Sequence, residues 1–242
     1  MERNFTLILP VRDEEENIKI LIEKLKKTLK DTIVIFVDDS STDETEKIVK
    51  LFMAKDNDII LIENKGSRLA SAIRTGIENA STEIVGWMDA DLSMPVEIIP
   101  QMVDFLSEYD IVLGSRYIEG GKDLRESRMR ILTSRLFNLL SKKILNTKTN
   151  DLTSGFVITK KEFLEELKIE GKYGEYCLSL IYQAERKGFK IKEAPYIFRE
   201  RKKGKSKIGS NLFILFKNSL FYFLMVIRLK FRDLFFYRDN KF

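Results

Sequence analysis

The feature that most constrains this chain is the alternation, through its first 115 residues, of continuous apolar runs with segments of helical spacing. Phe5 to Leu9 is an apolar run stopped by Pro10, and Ile18, Leu21, Ile22, Leu25 and Leu29 then recur at helical intervals. Thr32 to Val37 is β-branched and unbroken rather than alternating, as expected of a strand covered on both faces. Ser41-Thr42-Asp43 with Glu44 behind it marks a helix start ahead of Ile48, Val49, Leu51 and Phe52. Strands are predicted over 58–62, 83–88 and 110–114, with a helix over 69–80. Pro95 opens another helix, where its missing N–H costs nothing. This βαβαβα order implies an α/β fold: a mostly parallel sheet with helices on both faces. In such sheets, functional groups gather just past the carboxyl ends of the strands.

Beyond Arg116 the pattern loosens. Gly120-Gly121 opens a polar loop, 128–145 reads as an amphipathic helix, and 156–159 as a strand. A helix over 177–187 closes at Gly188, and 190–198 returns as a strand. A length of 242 residues accommodates one substantial α/β domain, placed at 1–207, and a small appendage at 208–242. The sequence contains no histidine, which removes Ser-His, Cys-His and His-metal chemistry together. Its single cysteine, Cys177, argues for a reducing compartment and against zinc. No basic segment followed by an apolar one opens the chain, so a secretory signal is not expected.

The net charge of +5 is unevenly spread. Residues 199–232 hold ten Lys/Arg and one acid, Glu200, so the remainder is net acidic. A basic, aromatic-rich tail on an acidic body points to an anionic surface as partner. Leu212 to Phe216 and Leu220 to Ile227 are apolar runs too short, at roughly 24 Å of helix, to cross hydrocarbon. With Arg228, Lys230 and Arg232 following, the tail reads as a helix in a bilayer interface. A buried helix capping the domain or packing on a partner protein, and a true spanning segment, are the competing readings. Nucleic acid is not expected, because the basic residues interleave with long apolar runs and no nucleic-acid-binding signature occurs.

Four polar clusters fall at strand ends: Pro10 to Glu14, Asp38 to Ser41, Asp89-Ala90-Asp91, and Gly114-Ser115-Arg116. One carboxylate at a strand end is ordinarily a turn or a cap, but several on one sheet edge converge in space. In an extended segment, residues two apart point the same way, so Asp89 and Asp91 can address one small volume. Two hard carboxylates completed by diphosphate oxygens suit Mg²⁺ or Mn²⁺. Such an ion neutralises a nucleoside diphosphate leaving group.

These clusters continue through Arg130-x-x-x-Ser134, Asp151-x-x-Ser154-Gly155-Phe156 and Phe198-x-x-Arg201-x-x-Gly204-x-Ser206-Lys207. In that order, from Phe5 to Lys207, they resemble the family-2 glycosyltransferases of GT-A fold, a Rossmann-like type. Among these the chain is similar to the dolichol-phosphate mannose synthases and related polyprenyl-phosphate hexosyltransferases. The resemblance implies that Pro10, Glu14, Val37 and Asp39 line the nucleotide pocket. It places Asp89 and Ala90 by nucleotide and sugar, with Asp91 on the metal. Arg116, Arg130 and Ser134 would hold the acceptor phosphate, and Arg201 and Lys207 would close over donor and acceptor. The sequence departs from the family at Arg12, Asp13, Ser93 and Val157, which leaves nucleotide preference and a third protein metal ligand open.

The implied reaction is inverting transfer of a hexose, mannose from GDP-mannose or glucose from UDP-glucose, to dolichyl or polyprenyl phosphate. It would take place at the cytoplasmic face of a membrane, with a membrane-anchoring partner protein left open. A phosphate acceptor is already anionic and needs cationic positioning rather than a general base. A hydroxyl acceptor would need a base, for which Glu175 is the candidate. A non-catalytic, membrane-associated nucleotide-binding protein is the remaining alternative.

Overall fold

The computed structural model describes residues 4–64, 68–201 and 220–232. The apolar runs become strands β1 (Phe5–Val11), β2 (Thr32–Asp38), β3 (Ile59–Glu63), β4 (Ile84–Trp87) and β5 (Ile111–Ser115). Helices α1 (Glu15–Thr28), α2 (Thr45–Met53), α3 (Leu69–Asn79) and α4 (Ile99–Asp104) connect them. Then follow β6 (Lys122–Leu124), α5 (Arg128–Leu145), β7 (Val157–Lys160), α6 (Phe163–Glu166), α7 (Glu175–Lys187), β8 (Ile191–Pro195) and β9 (Ile197–Arg199). Residues 220–232 form a last helix, α8.

Seven strands make one sheet in the order β3-β2-β1-β4-β7-β5-β8. All its pairings are parallel except those of β7, which runs antiparallel between β4 and β5. The strand predicted over 190–198 divides after Pro195, because β8 stays in the main sheet while β9 pairs with β6 in a separate ribbon.

Alternation along β1 assigns the layers. Leu7 and Leu9 pack with Ile18, Leu21, Ile22 and Leu25 of α1, Val49 of α2, and Ile99 and Met102 of α4. Ile8 faces the other way, into a cluster with Ala72 and Ile73 of α3 and Cys177, Leu180 and Ile181 of α7. Gly76 lets α3 approach the sheet: a Cβ there would stand 2.3 Å from Cγ2 of Ile8.

Helix α8 shares this second cluster through Met225, Val226 and Leu229. Tyr222 meets Phe137 of α5 edge-on at 5.4 Å, and Arg228 and Arg232 reach Glu170 at 3.7 and 3.8 Å. The C-terminal part of the expected interfacial segment is therefore also packed on the domain by its inner side. Residues 212–219 of that segment lie outside the described residues. Among the described residues no helix is long and apolar enough to cross a membrane.

Candidate active site

The carboxyl ends of β1, β2, β4 and β5 share one edge of the sheet, and antiparallel β7 starts there. The loops after β1 and β2 are laced together. Backbone N–H groups of Asp13, Glu14 and Glu15 donate to Ser41 Oγ (3.0 Å), Thr45 Oγ1 (2.7 Å) and Asp43 Oδ2 (3.1 Å). In return Thr42 N–H donates to Asp13 Oδ1 at 2.7 Å, and Glu44 N–H to Glu15 Oε2 at 2.9 Å. Ser41, Asp43 and Thr45 thus satisfy the open end of α1, and α2 begins only at Thr45, later than the Ser41-Thr42-Asp43 signal suggests. This lacing fixes Glu14 at the site's rim. Asp39 takes Asn64 Nδ2 at 2.8 Å and the Arg68 N–H at 3.2 Å, which ties the end of β2 to the start of α3. Pro10 is partly exposed at the end of β1, whereas the Val37 side chain is fully buried in the core.

β4 ends at Trp87, so Asp89-Ala90-Asp91 lies in a bend rather than on an extended strand. Leu92 takes a left-handed φ of 64°, a strained conformation for a branched side chain. Asp91 Oδ1 accepts the Ser93 N–H at 3.0 Å, which closes the bend. Trp87 Nε1 donates to Tyr176 Oη at 3.0 Å and so pins the base of the loop to α7. The two carboxylates still feel each other. Asp89 is partly accessible, yet protein crowds it, and burial first, then the charge of Asp91, push its pKa up to about 7. Glu14 adds to that rise, and Arg201 and Arg116 oppose it.

β9 brings Arg201 to this acid cluster. The Arg199 N–H donates to the Ser93 carbonyl at 3.0 Å, and two residues on Arg201 Nη2 lies 3.0 Å from Asp91 Oδ2 and 3.4 Å from Glu14 Oε1. A guanidinium therefore spans carboxylates from β1 and β4 where a cation is wanted. The donor set fits a divalent ion: hard oxygens only, too few of them for a closed cage, and burial together with the neighbouring charge lets Asp89 hold a proton near neutral pH. Among the described residues no three or more acid, thiol or imidazole groups converge as a ready-made metal site. An ion here would take its remaining ligands from a diphosphate and water.

The phosphate-acceptor residues implied by the resemblance divide. Arg116 is buried and forked onto Asp151, with Nε to Oδ2 and Nη2 to Oδ1 both at 2.7 Å, and Nη2 also donates to Thr153 Oγ1 at 2.8 Å. Asp151, the first residue of the Asp151-x-x-Ser154-Gly155-Phe156 motif, comes to the site because β7 runs antiparallel and begins at this edge. Arg130 and Ser134 sit one turn apart on α5, and Ser134 Oγ accepts from Tyr117 Oη at 2.8 Å. Tyr117 Oη in turn is 3.2 Å from Asp123, itself forked by Arg125. Ala90 is buried, and Lys207 lies outside the described residues. Glu175 is buried and accepts the N–H groups of Lys172 (2.8 Å) and Tyr173 (3.0 Å). Cys177 is inert: burial pushes its thiol up to about 12.

The fold has relatives among solved structures. Glucosyl-3-phosphoglycerate synthase from Mycobacterium tuberculosis, crystallised with Mn²⁺, UDP and phosphoglyceric acid, superposes with a TM-score of 0.72 at 17% identity, over 94% of this chain and 78% of that one. Its complex with Mn²⁺, UDP-glucose and phosphoglyceric acid gives 0.72 at 19% identity, over 94% of this chain and 80% of that one. By sequence, a dolichol-phosphate mannosyltransferase from Pyrococcus furiosus is 29% identical over 86% of this chain, which spans 60% of that relative's length. A polyprenol monophosphomannose synthase from Mycolicibacterium smegmatis is 27% identical over 85% of this chain and 82% of its own. The family model "Glycosyl transferase family 2" matches residues 6–168, which contain all the strand-end carboxylates described above. With that match over more than half its length, the chain belongs to glycosyl transferase family 2 and is a glycosyltransferase.

Proposed function

We propose that this glycosyltransferase moves a hexose from a nucleoside diphosphate sugar to a polyprenyl phosphate at a membrane surface, with inversion and with a divalent ion. The observation that carries the reading is the Arg201 guanidinium laid across Asp91 and Glu14 beside Asp89. It puts a cation and an acid cluster at one point, which is what the joining of two phosphate-bearing substrates requires.

In this reading Asp91, with Asp89, holds Mg²⁺ or Mn²⁺, whose charge would weaken the bond between sugar and diphosphate. Glu14, Pro10 and Asp39 border the nucleotide, Val37 contributes only backbone, and Ala90 packs beneath the sugar. Arg201 exchanges its carboxylates for phosphate oxygens once substrates arrive, and Lys207 joins it. Arg130 and Ser134 take the acceptor phosphate. Arg116, held by Asp151 and with its guanidinium 4.9 Å from the centre of the Tyr117 ring, acts as a positioning residue that sets Tyr117 against Ser134. The acceptor oxygen attacks the anomeric carbon in line as the diphosphate leaves, so no side chain need remove a proton. The commitment of both Glu175 oxygens to backbone N–H groups supports a phosphate over a hydroxyl acceptor. The names of the mannosyl-transferring relatives support GDP-mannose as donor, and the UDP-glucose complex of the structural relative keeps that donor as the second reading.

The test is incubation with Mn²⁺ or Mg²⁺, GDP-mannose or UDP-glucose, and dolichyl or undecaprenyl phosphate. The expected product is an organic-extractable sugar lipid, lost in Arg201→Ala and retained in Glu175→Gln. Glycosylation of a soluble hydroxyl acceptor alone, abolished by Glu175→Gln, would overturn the acceptor assignment.

A further inference from the structure

Helix α5 is amphipathic in the reverse of the usual sense. Its inner side carries Asn138, Ser141 and Leu145, all buried, and two of the three are polar. Its outer side carries Met129, Leu132, Leu136, Leu139, Leu140 and Ile144, which are 42–72% exposed. At about 100° per residue these six occupy an arc of roughly 140° along the whole helix. Arg128, Arg135 and Lys142 follow one border of the arc, and Lys143 lies within it. Helix α8, joined to α5 through Tyr222 and Phe137, adds Leu220, Phe223, Leu224 and Phe231 to the exposed apolar surface.

A helix that merely completed a core would bury this face, and water-soluble domains rarely expose an apolar stripe of this extent. We infer that the outer face of α5 docks on an anionic lipid bilayer, its aliphatic arc entering the headgroup–acyl boundary and its basic border meeting headgroup phosphates. The composition of the arc argues for lipid over protein. Its apolar side chains are aliphatic or thioether, with only Thr133 and Lys143 among them, and α5 itself presents none of the exposed aromatic anchors typical of protein interfaces. A lysine inside the arc is tolerated where its stem can lie in the apolar layer and its ammonium can reach the headgroups. The inference rests on the lipid-phosphate reading for its purpose alone. Arg130 and Ser134 leave the same helix on other sides, so docking α5 would set a lipid's phosphate within one helix diameter of them.

The full chain carrying Leu136→Cys tests this, because the buried Cys177 does not compete for an environment-sensitive fluorophore. With vesicles of phosphatidylcholine and phosphatidylglycerol the label should shift to the blue and be quenched by a nitroxide lipid, while a label at Lys47→Cys on α2 should not respond. Leu132→Glu with Leu136→Glu should lower vesicle partitioning by at least about tenfold, with unchanged thermal unfolding and unchanged transfer to a short, water-soluble isoprenyl phosphate. Vesicle binding with an unmoved Leu136 label would overturn the inference in favour of contact through another segment. A blue label without vesicles would overturn it too, assigning the face to a second copy if the shift vanishes on dilution and to this chain's own C-terminal residues if it does not. No vesicle binding at all also refutes it. Membrane entry of the label without sugar transfer from any donor would leave docking intact and refute the transferase substrate reading instead.

Discussion

Two arginine–carboxylate contacts stand at the same edge of the sheet and differ in almost every physical respect. Arg116 and Asp151 form a bidentate pair with side chains 6% and 0% exposed, and Thr153 and the Arg116 N–H absorb further hydrogen-bonding capacity. Arg201 makes longer, single contacts to Asp91 and Glu14 at 18% exposure, beside a third carboxylate, Asp89, for which no ion pair is seen among the described residues. The first contact is satisfied and neutral. The second leaves surplus negative charge around a guanidinium that comes from the end of a three-residue strand. A sealed pair holds loops in place, whereas an unbalanced cluster has an energetic reason to exchange its arginine for a stronger cation and a polyanion.

The largest expected effect belongs to the sealed pair. Arg116→Met or Asp151→Asn strands one member in a buried setting, so unfolding free energy should fall by about 3–5 kcal/mol. Urea unfolding measures it, and a loss within about 1 kcal/mol for both variants, the scale of a solvated pair, would mean that water reaches the contact and the contrast with Arg201 is false. Activity should decline with the folded fraction if, as proposed, Arg116 acts by placing Tyr117, whose ring its guanidinium faces at 4.9 Å.

The open contact should behave oppositely. Arg201→Ala removes a partly buried contact whose carboxylates can still meet water or a cation, so stability should fall by less than for the sealed pair, by about 1–2 kcal/mol. Sugar transfer should fall by about 10²–10³-fold, the scale for losing one preorganised charge at a transition state. Arg201→Lys should restore part of the rate, because a point charge replaces the fork without its geometry. Mn²⁺ affinity without nucleotide, read by paramagnetic resonance, should rise in Arg201→Ala. A weaker affinity would show that Arg201 organises the acid cluster rather than occupying it.

The contrast was half legible in the sequence. An apolar run announced β1 and a β-branched one announced β2, and the parallel order of β1 and β4 puts Glu14 and Asp91 at the same edge of the sheet. Leu69–Asn79 and Arg128–Leu145 likewise match their periodicity. The Asp151 partnership was not legible, because periodicity does not give a strand's direction and only an antiparallel β7 brings residue 151 to that edge. Nor did spacing reveal that Asp89-Ala90-Asp91 bends, since a left-handed Leu92 carries no compositional mark. The family resemblance alone makes Val37 a pocket residue, and the pleat turns its side chain into the core. The reversed face of α5 was visible only as amphipathicity, because pattern alone does not say which side faces inward.

The smallest effect tests the surplus charge directly. Burial and Asp91 raise the Asp89 pKa to about 7, well above the value near 3.8 of an unfolded carboxyl. Between those values the folded chain holds a proton that the unfolded chain has released, so stability from this group is greatest below pH 4 and is lost progressively as pH rises to 7. Asp89→Asn removes that liability. It should therefore unfold later than the parent by roughly 1–2 kcal/mol at pH 8, and the advantage should shrink steadily towards pH 5. Saturating Mn²⁺ should erase the difference at pH 8 by stabilising the parent alone, because the ion neutralises the carboxylate charge that the cluster carries once its proton has left. A gain from Asp89→Asn that is independent of both pH and Mn²⁺ would mean that simple packing, not crowded charge, sets the energetics of this edge, and the distinction between the two arginine contacts would lose its electrostatic basis.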